Sequence, residues 1–222
     1  MSQYPVLAID GPSGAGKGTV SRAVATHLGW HFLDSGAIYR ALGIAVLDLG
    51  IDLDDVEAIS AVALDMNLRF DAGEPPVVWL ADRDITERLP GEQTGATASR
   101  IAAYGPVRKA LLQKQRDFRQ APGLVADGRD MGSVVFTDAA WKIFLTASVE
   151  VRALRRFRQL KQKGLDVNLA SLSEEIEARD LRDRQRSEAP LIEVPGSIRI
   201  DTSELSIAEA IEQCLAVVKT RI

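Results

Sequence analysis

The sequence predicts an α/β fold with a mainly parallel central sheet. Three observations support this prediction. Strand-like and helix-like segments alternate along nearly the whole chain. The first apolar strand is followed at once by a glycine-rich turn and a helix, as in nucleotide-binding α/β proteins. The 222 residues are 46% hydrophobic and 26% charged, which is enough apolar material for one domain with a sizeable core.

The elements of the predicted sheet follow one another in order. A fully buried strand is predicted over Val6–Asp10, whose first four residues form a continuous apolar run, and the helix predicted over 18–28 is closed by Gly29. A short strand is then predicted over His31–Asp34, before a helix over 35–49. The remaining strands of the sheet are predicted over residues 124–127, 141–145 and 197–201.

The C-terminal helix has the clearest pattern. Ser206 and Glu209 form a capping box, in which each side chain binds a backbone N–H of the other residue. The apolar residues that recur on one face of this helix, and that we expect to be buried, are Ile207, Ile211, Cys214 and Val218.

Two segments depart from the alternating pattern. Within an insertion at about 62–93, short strands over 68–70, 77–80 and 83–85 predict small antiparallel hairpins. Residues 152–186 predict two arginine-rich helices joined at Gly164, the second of which opens with a capping box from Ser171 to Glu174.

Composition and charge exclude several classes of protein. No apolar run reaches the ~20 residues that cross a bilayer, so we expect no integral membrane protein. The start of the chain, from Met1 to Tyr4, has no basic segment, and the single cysteine, Cys214, excludes an intramolecular disulfide framework. A net charge of −4 argues against general nucleic-acid binding. We therefore expect a cytoplasmic protein.

A glycine-rich loop joins the first strand to the first helix. Its residues are Gly11, Pro12, Ser13, Gly14, Ala15, Gly16, Lys17, Gly18 and Thr19. The G-x-x-x-x-G-K pattern between a strand and a helix is the signature of a phosphate-binding loop. Backbone N–H groups and the helix N-terminus surround the phosphates, and the lysine binds the β- and γ-phosphates. A chance glycine-rich turn is the alternative, but strand, loop, lysine and helix are all present, so we expect nucleoside triphosphate binding.

Two further observations narrow the kind of nucleotide-binding protein. Gly18 follows the lysine where a hydroxyl residue is usual, and Thr19 comes one place later, so we expect phosphates and water to hold Mg²⁺. Neither Asn67 nor Asn168 is followed by lysine. The Asn-Lys-x-Asp element of guanine-specific switch proteins is therefore absent.

Arginines follow the strands at positions where a second phosphate could bind. Arg40 comes shortly after the second strand, and Arg129 directly follows a central strand. Ligands bind at the carboxyl ends of strands in open α/β sheets, and the arginine fork binds phosphate bidentately. Farther along, Arg179, Asp183 and Arg186 share one helix face. A solvated helix with i,i+4 ion pairs is the other interpretation of that face, but together with a phosphate-binding loop the pattern favours a kinase lid.

Four segments resemble bacterial cytidylate kinases: residues 11–19, 33–40, 126–132 and 179–186. The resemblance covers nearly the whole chain, and the last three segments together are much more specific than the first. It implies a three-layer P-loop kinase fold with a mainly parallel central sheet, a small antiparallel insertion and a helical lid. It also implies ATP-dependent phosphorylation of CMP and dCMP in pyrimidine nucleotide metabolism, with Mg²⁺, by a usually monomeric cytoplasmic enzyme that binds neither nucleic acid nor membrane.

The resemblance implies roles for individual residues. Residues 11–19 would hold the donor phosphates, with Arg155 and Arg156 near ATP. The catalytic residues would be Lys17, Arg129 and Asp127, of which Asp127 would orient the network or a metal-bound water. The residues that would bind CMP are Ser35, Arg40 and Arg129 at its phosphate, Ser99, Arg108 and Asp130 at the cytosine, and Arg179, Asp183 and Arg186 at the sugar and neighbouring groups.

Other functions remain open from the residues alone. A kinase for adenylate, uridylate or shikimate would share the phosphate-binding loop. A protein that binds ATP to drive a partner would share it too. A nucleic-acid-binding module could use the arginine-rich helices, and it would show binding that falls steeply with salt and no turnover of free nucleotide.

Overall fold

The computed structural model describes residues 4–71 and 76–219. The chain divides into two compact units, one formed by Met1–Leu33 with Phe118–Ile222 and the other by Asp34–Asp117. The turn expected around 71–76 falls mostly on residues 72–75, outside the described residues. Within the described ranges, no helix is long and apolar enough to cross a membrane.

The elements alternate as the sequence predicts. The strands are β1 Val6–Asp10, β2 His31–Asp34, β3 Leu68–Asp71, β4 Val77–Leu80, β5 Arg83–Asp84, β6 Leu124–Gly128, β7 Trp141–Thr146 and β8 Ile198–Asp201. The α-helices are α1 Lys17–Leu28, α2 Ser35–Asp48, α3 Val56–Asp65, α4 Glu92–Ile101, α5 Gly105–Arg116, α6 Val149–Gln162, α7 Leu169–Gln185 and α8 Ile207–Lys219. A short 3₁₀ helix covers Thr86–Arg88 and a π-helical turn covers Met131–Val135.

The first unit is built on a five-stranded sheet of order β2-β6-β1-β7-β8. Its central strand β1 is parallel to β6 and to β7, and all five of its residues are buried. This burial on both faces explains the continuous apolar run in the sequence. The register places Asp10 beside Gly128, so the loops that follow β1 and β6 leave the same edge of the sheet side by side. The predicted parallel sheet is confirmed.

A core of aliphatic side chains joins this sheet to α1 and α8. Val20 and Val24 of α1 and Cys214 and Val218 of α8 belong to one buried cluster. Burial raises the pKa of the Cys214 thiol to about 12, which leaves it an inert apolar side chain.

Two details of the predicted helices are wrong. Ile207 is 61% exposed although it lies on the apolar face of α8, because Leu205, just before the cap, packs on the core instead. The capping box predicted at Ser171 does not form. Helix α7 begins earlier, where the Asn168 side chain accepts hydrogen bonds from the N–H groups of Ala170 and Ser171. The capping box at the start of α8 is confirmed.

The second unit contains the predicted antiparallel insertion. Strands β3, β4 and β5 form a three-stranded sheet in that order, with both pairs antiparallel. Helices α2 to α5 complete this unit, and α2 is almost wholly apolar on the side that is buried. Gly43 in α2 meets Thr97 of α4 closely, since a Cβ there would lie 3.3 Å from the threonine methyl group.

Candidate active site

The glycine-rich loop lies between the carboxyl end of β1 and the first turn of α1. Its backbone requires glycine at two positions for different reasons. A Cβ at Gly11 would lie 1.9 Å from the carbonyl oxygen of Leu145, so no side chain fits there. Gly16, at the N-cap of α1, has φ 90°, which L-residues with a side chain rarely adopt. The loop therefore has the shape that the sequence pattern predicts.

Lys17 is the first residue of α1, and its side chain turns back over the loop. Its Nζ donates a hydrogen bond to the carbonyl oxygen of Pro12 at 3.0 Å. The same nitrogen lies 3.8 Å from Oδ1 of Asp127, at the end of the adjacent strand β6. Both side chains are more than nine-tenths buried. The structure thus places the cation in the concavity of the loop and gives it a carboxylate partner.

Arg155, on α6, lies beside the loop. Its Nη1 donates to Oγ1 of Thr202 at 3.1 Å, and its Nη2 donates to the carbonyl oxygen of the same residue at 2.6 Å. A Cβ at Gly16 would lie 3.9 Å from Nη1. Arg156 turns elsewhere and donates to Oε1 of Gln159 at 2.8 Å. Of the two arginines predicted near ATP, Arg155 has its guanidinium beside the loop at Gly16.

A cluster of opposite charges surrounds Asp183 on α7. Its Oδ2 accepts a hydrogen bond from Nε of Arg129 at 3.0 Å, and its Oδ1 lies 3.3 Å from Nη2 of Arg186. Burial alone would raise the pKa of Asp183, but the charges of Arg129, Arg186 and Arg179 outweigh burial and hold that pKa below its usual range. The structure brings together these four predicted residues.

The face predicted for α7 is confirmed by exposure. Arg179, Asp183 and Arg186 lie on the less exposed side, whereas Arg182 and Arg184 face solvent. The pKa of Arg129 is raised: burial opposes its charge, but Asp183 and Asp127 favour it more strongly. Arg129 is therefore held in its cationic form beside a buried carboxylate, an arrangement that can also receive a phosphate.

Asp130 follows Arg129 in the loop after β6 and is almost fully buried, at 2% exposure. The loop that carries it is held by Asp10, the last residue of β1. The two carboxylate oxygens of Asp10 accept hydrogen bonds from the N–H groups of Met131 and Gly132, each at 2.8 Å. Burial, opposed in part by these two bonds, raises the pKa of Asp10 to about 6. Sequence analysis missed Asp10, although a carboxylate that ends a buried strand was a usable signal.

The buried carboxylate of Asp10 should make protein stability depend on pH in a defined direction. Its pKa rises from 3.8 to about 6 on folding, so the folded state binds the proton more tightly within that interval. Its contribution to the free energy of unfolding is therefore present at low pH and is lost as the pH rises through 6. Asp10→Asn should accordingly destabilise the protein more at pH 4.5 than at pH 7, by about 2 kcal/mol. Urea unfolding at both pH values measures this, and an equal loss at both would contradict it.

The second unit carries the other predicted acceptor residues. Ser35, at the start of α2, donates to Oε1 of the buried Gln115 at 2.8 Å. Arg40 donates from Nη1 to the carbonyl oxygen of Leu89 at 2.6 Å. Gln115 was not found from the sequence, because no motif marks a buried glutamine eighty residues away along the chain.

Two predicted base-binding residues also belong to the second unit. The guanidinium of Arg108 lies over the ring of Tyr39 at 5.6 Å and donates to the carbonyl oxygen of Ala102 at 3.0 Å. The Ser99 hydroxyl is buried and has no hydrogen-bond partner within the described part of the chain. A buried hydroxyl without a partner costs free energy unless a ligand or water satisfies it, which supports a binding role.

Metal binding was left open by the sequence. No group of three or more His, Cys, Asp or Glu residues comes together among residues 4–71 and 76–219. Asp127 is the carboxylate beside the phosphate-binding loop, and Gly18 offers no hydroxyl. This donor set fits Mg²⁺ that arrives with the phosphates and keeps most of its water, since Mg²⁺ is usually bound through one or two carboxylates plus substrate phosphates.

Comparison with known proteins agrees with this geometry. The cytidylate kinase family model matches residues 7–220. A cytidylate kinase of Methylococcus capsulatus is 58% identical over 97% of this chain and 97% of its own length. A cytidylate kinase of Edwardsiella ictaluri is 54% identical over 96% of this chain and 95% of its own length. A cytidylate kinase of Stutzerimonas stutzeri is 54% identical over 98% of this chain and 96% of its own length. A solved shikimate kinase from Acinetobacter baumannii is far more distant, with 18% identity, a TM-score of 0.47 and coverage of 99% of this chain and 96% of its own.

Proposed function

The chain belongs to the cytidylate kinase family, and we propose that it transfers the γ-phosphoryl group of ATP to CMP and dCMP, giving CDP and dCDP. One observation supports this most strongly. The lysine of the phosphate-binding loop lies 3.8 Å from Asp127, at the strand end that leads directly into Arg129 and Asp130. A site for a triphosphate thus adjoins the loop that carries an arginine and a carboxylate for the acceptor.

The donor is held mainly by backbone. Backbone N–H groups within residues 11–19, all but that of Pro12, and the N-terminus of α1 bind the phosphates of ATP, and Lys17 neutralises charge on the transferring group. Arg155, already beside the loop, and Arg156 add positive charge from α6. Asp127 is the protein carboxylate that would hold Mg²⁺ through its water ligands, and the ion, when bound with ATP, would supply positive charge to the phosphates.

The acceptor is held by charged side chains. We assign its phosphate to Ser35, Arg40 and Arg129, because a dianion beside a triphosphate needs cationic donors. The other assignments are Ser99, Arg108 and Asp130 for the cytosine and Arg179, Asp183 and Arg186 for the sugar and neighbouring groups.

The chemical step needs no strong base. An oxygen of the CMP phosphate, already ionised, attacks the γ-phosphorus, the bond to the β–γ bridging oxygen breaks, and ADP leaves with that electron pair. Catalysis then consists of positioning and of charge stabilisation by Lys17 and the arginines. The protein also has to exclude water, which would otherwise accept the phosphoryl group.

We propose that residues 152–186 act as a lid and residues 62–93 as the acceptor-binding insertion of a single kinase domain. Helices α6 and α7 cover most of the lid segment. An ATP analogue covalently bridged to the acceptor should slow amide hydrogen exchange in both helices, because arginines close onto the phosphates. Protection confined to β1 and the phosphate-binding loop would contradict the lid.

The proposed reaction has a direct test. The purified protein, incubated with ATP, Mg²⁺ and CMP, should form CDP and ADP in equal amounts, as separated by ion-exchange chromatography. ADP without CDP would mean that water is the acceptor and would overturn the proposal. We further propose a monomer that acts in cytoplasmic pyrimidine nucleotide metabolism, and light scattering in solution tests the oligomeric state.

A further inference from the structure

We propose that Arg152 and Asp180 form a positioning pair for the phosphoryl donor. Through this pair, helices α6 and α7 hold the backbone of the phosphate-binding loop at Ser13 in the shape that binds the triphosphate. The inference rests on the proposed use of ATP but not on the identity of the acceptor.

The guanidinium of Arg152 is fully engaged with protein groups. Its Nε donates to the carbonyl oxygen of Ala147 at 3.0 Å, and its Nη1 donates to the carbonyl oxygen of Ser13 at 3.0 Å. Nη1 and Nη2 also bind the two carboxylate oxygens of Asp180, at 3.1 and 2.6 Å. The side chains of Arg152 and Asp180 are only 2% and 4% exposed. Arg152 therefore binds protein groups with all of its guanidinium nitrogens.

The contact with Ser13 fixes one peptide plane of the loop. A trans peptide is planar, with its C=O and N–H pointing in opposite directions. Because Arg152 holds the carbonyl oxygen of Ser13, the N–H of Gly14 in the same peptide points away from Arg152. Packing adds to this constraint, since a Cβ at Gly14 would lie 3.2 Å from the Cβ of Arg152. Arg152 of α6 thus fixes the orientation of the peptide between Ser13 and Gly14 within the phosphate-binding loop.

Burial of the pair argues for orientation rather than for stability. Removing two charges from water costs free energy that their attraction offsets only in part, and apolar residues of similar size often stabilise such a site equally well. A bidentate arginine–carboxylate contact gives what apolar packing does not, a fixed direction of the guanidinium. Asp180 also lies on α7 beside Arg179, so the pair connects the donor loop to the helix that carries the proposed acceptor arginines.

Two variants separate positioning from stability. The double variant Arg152→Met/Asp180→Leu removes both charges together and leaves no unpaired buried charge, so its Tm should stay near that of the wild type. Because the hydrogen bond to Ser13 is lost, its Kd for ATP, measured by calorimetry without acceptor, should rise about tenfold, and kcat/KM for ATP should fall about ten- to a hundredfold. Asp180→Asn leaves Arg152 without the carboxylate that fixes its direction, so its Tm should fall because a buried charge loses its partner, and its Kd for ATP should rise less than in the double variant because the hydrogen bond to Ser13 is weakened rather than removed.

The control is Arg158→Met, which removes an exposed arginine from the same helix. It should bind ATP as the wild type does. If the double variant does not fold, Arg152→Lys replaces it, because a lysine keeps the charge but cannot bind Ser13 and both oxygens of Asp180 at once. A folded double variant, or Arg152→Lys in its place, that binds ATP within about twofold of the wild type would overturn the inference.

The same measurements distinguish this inference from the proposed function. A wild-type protein that binds ATP but does not phosphorylate CMP would overturn the acceptor assignment alone, and the effect of the double variant on ATP binding would still decide the positioning role. A wild-type protein that does not bind ATP would overturn both.

Discussion

Replacing Lys17 with alanine should lower kcat by about two orders of magnitude or more, because the ammonium group stabilises charge that develops on the transferring phosphoryl group. The buried position of its Nζ, 3.0 Å from the Pro12 carbonyl and 3.8 Å from Asp127, places it within the loop rather than on the surface. In this low-dielectric setting the interaction is stronger than it would be in water. Steady-state kinetics at saturating ATP and CMP measure the loss.

Two controls accompany the Lys17 variant. Lys219→Ala removes an exposed lysine from α8 and should leave kcat unchanged. Circular dichroism of Lys17→Ala should show a folded protein, and thermal unfolding should show a somewhat lower Tm, because the ion pair with Asp127 and the hydrogen bond to Pro12 are lost. A folded variant with near-normal kcat would remove the assignment of the phosphate-binding loop.

Replacing Asp130 with alanine should remove most of the preference for cytosine over uracil. Cytosine presents an N4 amine donor and an N3 acceptor, whereas uracil presents an O4 acceptor and an N3–H donor. A carboxylate accepts from N4 of cytosine with discrimination of about 1–3 kcal/mol, but it opposes O4 of uracil. Uracil would also leave buried polar groups unpaired. We therefore expect kcat/KM for CMP to collapse in Asp130→Ala while that for UMP changes little.

The ratio of the two substrates is the deciding quantity for Asp130. The control is Asp138→Ala, which removes a more exposed carboxylate that lies after the π-helical turn and pairs with Arg119. It should leave the ratio of kcat/KM for CMP to kcat/KM for UMP unchanged. If Asp130→Ala loses activity toward both nucleotides in equal proportion, the residue shapes the loop, and base specificity comes from elsewhere.

Local patterns in the sequence predict the fold well where they coincide with tertiary packing. Val6–Ile9 is apolar throughout because β1 is buried on both faces, and the glycines after the strand are required by the close approach of Leu145 and by a positive φ at Gly16. Helix boundaries are less certain, because several residues can serve as caps. Asn168 caps α7 three residues before Ser171, whose pattern also fits a capping box.

Residues that act across long sequence separations could not be predicted in the same way. Arg152 and Asp180 lie on two helices, and Ser13 is more than a hundred residues from both, so no spacing in the sequence relates them. Asp10 itself could have been noticed in the sequence, because it ends the strand before the phosphate-binding loop. Its partners, Met131 and Gly132, could not, because they lie more than a hundred residues away along the chain. The helical face of Arg179, Asp183 and Arg186 was predictable, since the period of a helix fixes it.

A screen of acceptors with ATP and Mg²⁺ decides whether cytidine monophosphates are the acceptors. The wild-type protein is offered CMP, dCMP, UMP, AMP, GMP and shikimate in turn, and ADP formation is followed by a coupled assay. CMP and dCMP should give the highest kcat/KM. The values for UMP, AMP, GMP and shikimate should be lower by about an order of magnitude or more. A higher kcat/KM for AMP, UMP or shikimate than for CMP, or no turnover with any acceptor, would contradict this assignment.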